Sequence, residues 1–426
     1  MSSKLTYLRV DKFRHVKPGS VVAFGGQINA VVGRNGAGKT TLLSLISALV
    51  RNNFHEFSRE NFKLGFRLVD GEFAFEGTLS NEVKANDNSS KLELSGVLCR
   101  GDTSVYVDSN ATESTVSHGG RQYRRKSIVP ASEAKGGQFE LIHAIRLALP
   151  GEVAELAALV HGKSGVAVDI LSSPNHTCSR VREGVESFAE LFAADKGNPD
   201  HAPTLGITLV TSPDTSGMWY SAGHHLADAV LMSQLETRSD IVDIITLDGA
   251  APPLAQYIDL SQYTDARLIL TKTVATIKDG VTRWVFANPL VRLTTASGNE
   301  IPHHYLSFGE KRLLAVLIKL YAYPSTIIVD ELANGMHHSW IERILELIED
   351  LGTQAFLTSQ NPLLLDCLPL SRETFGTNHN LVICELTDSG EMIWRNLSET
   401  ETEEFFKSLD VGLQHISEIM RNKGLW

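Results

Sequence analysis

The chemistry of this chain is most legible in one short run, Gly33-Arg-Asn-Gly-Ala-Gly-Lys39-Thr40, which fits G-x-x-x-x-G-K-[ST]. It stands between an apolar stretch, Ile28 to Val32, and a segment of helical periodicity from about Lys39 to Val50. These are the residue types that a polyphosphate requires. Gly33, Gly36 and Gly38 let backbone N–H groups curl around phosphate oxygens, a nest that side chains would obstruct. Lys39 would reach the β- and γ-phosphates as a point charge, and the Thr40 hydroxyl would ligate Mg²⁺. Asn35, Ala37 and Thr41 belong to the same nucleotide-binding set. A glycine-rich turn that binds nothing is the plain alternative. The strand–loop–helix setting, with every motif position filled, argues against it and points to ATP or GTP.

Two further stretches carry chemistry. In "YLSFGEKRLL", Ser307 and Glu310 have the spacing of a capping box at the start of a good helix. Gly309 sits within the first turn, where glycine costs about 1 kcal/mol relative to alanine. Such a glycine is useful if something must approach the backbone closely, and a helix N-terminus is a ready anion site. "STIIVDEL", Ser325 to Leu332, is an apolar β-branched run ending in two acids. In a parallel sheet it would deliver both carboxylates to the C-terminal edge, where Asp330 would hold the Mg²⁺ shell. Glu331 would orient or deprotonate an attacking water. A core strand with two surface acids is the alternative.

"LSFGE" followed by "IIVDE" resembles the signature motif and second acidic motif of ABC-type ATPases. "INAVVGRNGAGKTTLL" and the early "LRVDKFRHV" resemble the RecF/SMC/RecN branch of that family more than transporter subunits. The resemblance implies an α/β fold: an ABC-type P-loop ATPase head, with a mixed sheet flanked by helices plus an antiparallel β subdomain. It also implies ATP and Mg²⁺ as cofactors, with ATP sandwiched between two copies. Ser307, Gly309 and Glu310 would then complete a partner's site, a side chain at 309 would obstruct it, and Arg14 would touch nucleotide. "ANGMHHSW", Ala333 to Trp340, falls at the family's D-loop. His337 and His338 read as loop residues, since adjacent histidines seldom face one ion. "QAFLTSQNPLLLD" places Gln360 where the family usually has a histidine. Glutamine can hydrogen-bond a phosphate or water but cannot carry a proton as imidazolium does. The catalytic set is therefore Glu331, Lys39 and Gln360, in a slow, regulatory ATPase.

The elements that must position these residues are spread along the chain. Lys39 and Asp330 lie 330 − 39 = 291 positions apart, so something is inserted. No heptad persists beyond two or three turns, which excludes long coiled-coil arms. Four segments are expected: an N-terminal ATPase lobe with hairpins (1–138), a mainly helical insert with mixed stretches that forms a lid or interaction subdomain (139–275), a C-terminal ATPase lobe (276–380) and a docking or oligomer-contact tail (381–426). Within the first, 62–130 alternates β-like runs with turns at Asp70-Gly71 and Arg100-Gly101-Asp102, around a polar loop, "NEVKANDNSSK". Residues 139–197 carry helical periodicity and 205–275 reads as mixed. "DGVTRWVFANPLVRLTTASGNEIP" returns to hairpins. The basic cluster "RQYRRKS" could contact DNA phosphates, but a solvated hairpin edge is the preferred reading. Gln122 and Gln138 are alternative candidates for the glutamine that couples the phosphate site to a lid. The tail predicts a hairpin turning near Asp388–Gly390, then a helix capped by Ser398 and Glu401.

With 426 residues, 42% hydrophobic and 21% charged, the chain reads as an ordinary globular protein. Its net charge of −11 argues against a protein coated in nucleic acid, though not against a local basic patch. No basic segment precedes an apolar run at the start, and no apolar stretch is long enough to span a bilayer. Cys99, Cys178, Cys367 and Cys384 lack metal-site spacing, and a cytoplasmic location without membrane contact is expected. Head, modest insert and tail together resemble the stand-alone ABC-type ATPases of prokaryotic antiviral systems. That likeness implies a homo-oligomer, at least a dimer, restraining an effector nuclease or toxin from a neighbouring gene until a phage trigger protein is sensed. A RecF-like repair ATPase clamping DNA is the competing reading, and a transporter subunit fits worst.

Overall fold

The run Ile28–Val32 (β3) is buried on both faces, as a strand inside a parallel sheet must be. It pairs in parallel with Gln354–Thr358 (β18) on one side and Asn380–Leu386 (β19) on the other, and Met392–Asn396 (β20) runs antiparallel to β19. The polar residue within it, Asn29, is fully buried and satisfied: it accepts the Gly25 N–H at 2.7 Å and donates to the Gly25 carbonyl at 3.0 Å. The helix Lys39–Val50 follows with the bounds that the periodicity predicts, burying Leu42, Leu43, Leu45, Ile46 and Leu49.

This computed structural model describes residues 4–50; 54–126 apart from 72, 84–89, 111–112 and 119; the strands at 178–181, 207–212 and 215–222; and 244–425 apart from 279–280, 323–325 and 411–414. The chain divides into two compact units, Met1–Cys178 with Leu345–Trp426, and Ser179–Ile344.

In the first unit a second sheet is built wholly from antiparallel neighbours. Its strands are Lys4–Phe13 (β1), Ser20–Ala23 (β2), Phe62–Asp70 (β4), Phe73–Val83 (β5), Ser90–Arg100 (β6), Thr103–Asn110 (β7), Glu113–His118 (β8) and Arg121–Lys126 (β9), in the order β2-β1-β4-β5-β6-β7-β8-β9. The hairpins turn at Gly71 (φ 56°) and Gly101 (φ 54°), as the sequence predicts. The polar "NEVKANDNSSK" supplies the ends of β5 and β6, while its residues 84–89 lie outside the described residues. The basic "RQYRRK" forms β9, the edge strand, which is the hairpin-edge placement preferred above. One side chain fastens this sheet to the first. The Gln354 amide accepts the Leu5 N–H at 2.9 Å and donates to the carbonyls of Leu5 and Gly25, both at 2.8 Å.

The second unit holds Ile207–Ser212 (β11), Thr215–Ala222 (β12), Ile244–Leu247 (β13), Tyr263–Lys278 (β14), Val281–Thr295 (β15) and Glu300–Pro302 (β16) in one antiparallel sheet, ordered β12-β11-β15-β14-β13 with β16 on β15. A helix, Pro252–Leu260, packs against β14, and the signature helix, Phe308–Ala322, leads to the fully buried strand Thr326–Val329 (β17). The helical reading of 139–197, and Gln138, fall outside the described residues apart from Cys178–Val181 (β10), which is a strand. The described parts of 205–275 lie in the stretch read above as mixed. They are strands with a single helix, because β-branched and aromatic runs such as "ITLVTS" and "MWYSA" find partners in the sheet. No helix among the described residues is long and apolar enough to cross a membrane.

The tail folds back onto the first unit. β19 and β20 turn through Gly390 (φ 80°), and Ser398 and Glu401 form the expected capping box, with the Ser398 N–H donating to Glu401 at 2.7 Å. Arg395 forks onto Glu385 and Glu401, both at 2.7 Å, tying the hairpin to the helix Glu399–Asp410. The last helix, Ile416–Asn422, is held by Ser417, whose N–H and hydroxyl both donate to the Asp366 carboxylate at 2.9 Å. The Arg395 guanidinium holds the Glu401 carboxyl down at about 2, from an ordinary 4.5. A carboxyl depressed in the folded chain stabilises it above its unfolded value, and that stability is lost as pH falls through the folded one. Amide protection across the helices Glu399–Asp410 and Ile416–Asn422, taken relative to the intrinsic exchange rate at each pH, is expected to fall below about pH 4.5, and Arg395→Ala is expected to remove this acid step while lowering protection at neutral pH.

Candidate functional site

The phosphate-type loop rests on a floor made by the β19–β20 hairpin. Gly33 has φ 145°, and a Cβ there would stand 2.0 Å from the Cys384 carbonyl oxygen. Gly38 has φ 87°, and a Cβ there would stand 2.4 Å from the Met392 sulfur and 3.2 Å from the Trp394 indole nitrogen. Both positions therefore need glycine twice over, for conformation and for space. Gly36 (φ 82°) needs it for conformation alone, since nothing crowds it. The Lys39 ammonium is buried and donates to the carbonyls of Gly33 at 2.8 Å and Arg34 at 3.3 Å, closing the loop on itself. Asn35 and Thr40 are exposed, Thr41 is half-buried and Ala37 is buried. Burial pushes the Cys384 thiol up to about 12, so it serves as packing rather than as a nucleophile.

Gln360 is exposed two residues beyond β18, whose parallel register with β3 (Thr358 beside Val31) brings it to the sheet edge from which the loop springs. Arg14 sits at φ 45°, donates through two nitrogens to Glu60, both at 2.7 Å, and lies over the rings of Phe13 and Phe57. Gln122 is exposed on β9.

In the second unit the capping box forms as the spacing predicts. The Ser307 N–H donates to Glu310 Oε2 at 2.8 Å, and the Glu310 N–H donates to Ser307 Oγ at 3.3 Å. The close approach that explains Gly309 comes from this chain itself. A Cβ at 309 would stand 2.1 Å from the Gly335 carbonyl oxygen, and one at Gly335 (φ 73°) would stand 2.6 Å from the Phe308 ring. The signature turn and the loop after the acids are thus packed backbone to backbone, and crowding of a partner's nucleotide is not needed to account for the glycine. Asp330 and Glu331 are both buried. Glu331 adopts φ 56°, a strained conformation for a residue with a side chain and one that occurs preferentially at functional sites. Arg312 of the signature helix donates to the carbonyls of Asp330 and of Glu331, the latter at 2.7 Å, and so fixes where the acids leave β17. His338 pairs with Glu342 at 3.1 Å and His337 packs edge-on to Trp340, so the two rings serve separate contacts. Burial lowers the His303 imidazole to about 4, and it accepts the Val291 N–H just before the signature turn.

Several supporting residues were not singled out by sequence reasoning: Arg312, Asn29, Gln354, and the floor residues Cys384, Met392 and Trp394. Asn29 and Arg312 did carry a signal, a polar residue inside an otherwise apolar strand and a cation on the apolar face of a helix. The floor had none.

Two known families match parts of the chain. One, described as "AAA domain, putative AbiEii toxin, Type IV TA system", matches residues 224–366, and the other, described as "AAA domain", matches residues 7–151. No curated protein matches. Solved structures of similar layout include an SMC head bound to the C-terminal winged-helix domain of ScpA (13% identity, 94% of this chain and 99% of that chain, TM-score 0.44). They also include the SMC head domain of Thermotoga maritima (11% identity, 93% and 99%, TM-score 0.35) and a Pyrococcus furiosus SMC head with an extended coiled coil bound to the C-terminal domain of ScpA (12% identity, 96% and 100%, TM-score 0.37). The loop geometry and the two family matches support a P-loop ATPase.

The Gly309–Gly335 contact gives a direct test. In an open helix Gly→Ala stabilises by up to about 1 kcal/mol, whereas overpacking of this kind costs roughly 1–3 kcal/mol. Gly309→Ala is therefore expected to lower the melting temperature, measured by calorimetry, and a rise would show that the contact yields.

Proposed function

We propose that this chain binds and hydrolyses ATP, slowly, as a regulatory ATPase that assembles into a homo-oligomer with ATP held between protomers. The observation that carries the reading is a pair of constellations: a loop of positive-φ glycines closed over a buried Lys39, and a buried Asp330–Glu331 pair with Glu331 at φ 56°. In this reading the loop amides and Lys39 take the polyphosphate, with Asn35, Ala37, Thr41 and Arg14 around it. Ser307 and the backbone of Gly309 face the nucleotide of a second copy, and Glu310 holds Ser307 in place. Glu331 orients the attacking water, and Gln360 hydrogen-bonds the γ-phosphate or that water without carrying a proton. Thr40 and Asp330 offer a hydroxyl and a carboxylate, hard oxygen donors that suit Mg²⁺, an ion usually held by few protein ligands beside phosphates. Bound there, Mg²⁺ would neutralise charge on the transferring phosphate. Among the described residues no group of three or more His, Cys, Asp or Glu offers a different metal site.

The regulated partner, in this proposal, is an effector nuclease or toxin from a neighbouring gene, restrained in the cytoplasm until a phage protein is sensed. The family match at 224–366, whose description names a toxin and a toxin–antitoxin system, supports this setting, as does the net charge of −11. The layout resembles AriA, the ATPase subunit of the PARIS antiviral system. The other reading, a RecF-like clamp on DNA, rests on the basic edge strand β9.

Two experiments bear on this. Lys39→Ala is expected to weaken ATP binding at least about tenfold by calorimetry, the scale of losing one charged contact to phosphate, and unchanged affinity would refute the phosphate assignment. Native mass of Glu331→Gln with ATP is expected to show a defined oligomer that retains the neighbouring gene's product. A strictly monomeric wild type that hydrolyses ATP normally would refute the shared site, and an ATP-dependent dimer that ignores that product and shifts DNA would favour the clamp.

A further inference from the structure

The N-terminus of the signature helix is held by a chain of hydrogen bonds that begins outside it. Tyr263, the first residue of β14, is buried and donates its hydroxyl to Glu310 Oε1 at 3.1 Å. The other oxygen of that carboxylate accepts the Ser307 N–H, while Ser307 Oγ accepts the Glu310 N–H. Because the serine oxygen is engaged as an acceptor from its own helix, its proton remains available to an anion in front of the exposed Ser307. The Tyr263 ring stacks on Tyr257 with centroids 6.2 Å apart, and Tyr257 belongs to the helix Pro252–Leu260. That helix is in turn fastened to the helix after the Gly335 loop: Trp340 Nε1 donates to the Leu260 carbonyl at 2.7 Å. Burial first, and the Glu310 charge second, raise the Tyr263 phenol above its ordinary value, so it stays a donor at neutral pH.

We propose that Tyr263 is a positioning residue for turnover: acting through Glu310, it aims the Ser307 hydroxyl at the nucleotide phosphate. The inference rests on the reading of Ser307 as a phosphate contact. The physical need is specific. A carboxylate beside a polyphosphate site repels the ligand unless its charge is directed elsewhere. Glu310 spends one oxygen on the helix N-terminus, and the tyrosine hydroxyl occupies the other, holding the carboxylate against the backbone it caps. Without that donor the carboxylate is held on one side only, by the Ser307 N–H, and the orientation of Ser307 loosens. Tyr257 makes no such link. Its hydroxyl is buried without a hydrogen-bond partner, so its ring supports Tyr263 by packing alone.

The test compares Tyr263→Phe, Tyr257→Phe, Ser307→Ala and the Tyr263→Phe/Ser307→Ala double variant of the full chain. Steady-state ATP turnover, nucleotide affinity and melting temperature are measured for each. Tyr263→Phe is expected to lower kcat by roughly tenfold, the scale of one hydrogen bond to a charged acceptor, with nucleotide affinity and melting temperature held. Tyr257→Phe is expected to turn over like wild type, and the double variant like Ser307→Ala alone, because both changes act through one hydroxyl. Wild-type turnover in Tyr263→Phe, with a loss in Ser307→Ala, would overturn the proposal and leave the phosphate reading intact. Additive losses in the double variant would overturn it too, placing the action of Tyr263 elsewhere. Wild-type turnover in Ser307→Ala would instead remove the reading on which the proposal stands. If Tyr263→Phe melts early, Glu310→Ala cuts the same link, and it must lower kcat at unchanged affinity or the proposal falls.

Discussion

The constraint on which the rest of the structure depends is the contact between the phosphate-type loop and the hairpin beneath it. A loop whose amides are to converge on an anion must hold left-handed and extended conformations that an isolated chain would abandon. Here the Cys384 carbonyl lies against Gly33 and the side chains of Met392 and Trp394 lie against Gly38, so the loop is shaped from below by β19 and β20. The hairpin is itself anchored, by its parallel pairing with β3 and by Arg395, which ties it to the capped helix of the tail. The last forty or so residues are therefore part of the machinery that shapes the loop rather than an appendage.

The second unit repeats this logic with different parts. The signature turn is fixed from three directions: by its own capping box, by backbone contact between Gly309 and Gly335, and by Tyr263 from the open end of a long hairpin. Arg312 then carries the position of that helix to the carbonyls at the end of β17, where Asp330 and Glu331 emerge. Buried donors on backbone carbonyls do this better than side-chain ion pairs would, because a carbonyl reports the path of the chain and cannot change its charge. The strained conformation of Glu331 falls where Arg312 holds the carbonyls of Asp330 and Glu331.

Much of this was legible beforehand, for identifiable reasons. The loop, the helix Lys39–Val50, the capping boxes at Ser307 and Ser398, and the hairpins through Gly71, Gly101 and Gly390 are local: their residues interact within a few positions, so spacing reveals them. The reason for Gly309 was not legible. The sequence marked a glycine out of place, and the resemblance supplied an external ligand, but the nearest atom is a carbonyl of the same chain. In 205–275, which reads as mixed from sequence, sheet pairing decided the described part, because periodicity in short apolar runs does not separate strands from helices.

Sequence alone thus determined the chemistry on offer: a phosphate-type loop, a capped helix start, two acids at a strand end, and an acidic chain. Tertiary structure decided what holds those groups in place. Cys384, Met392 and Trp394 beneath the loop, Gln354 between two sheets, Arg312 behind the acids and Tyr263 behind the capping box are all remote in sequence from what they support. The reason is physical. A motif's composition is set by the ligand it can meet, whereas its support is set by whichever distant residues the fold packs against it, and no local spacing records that.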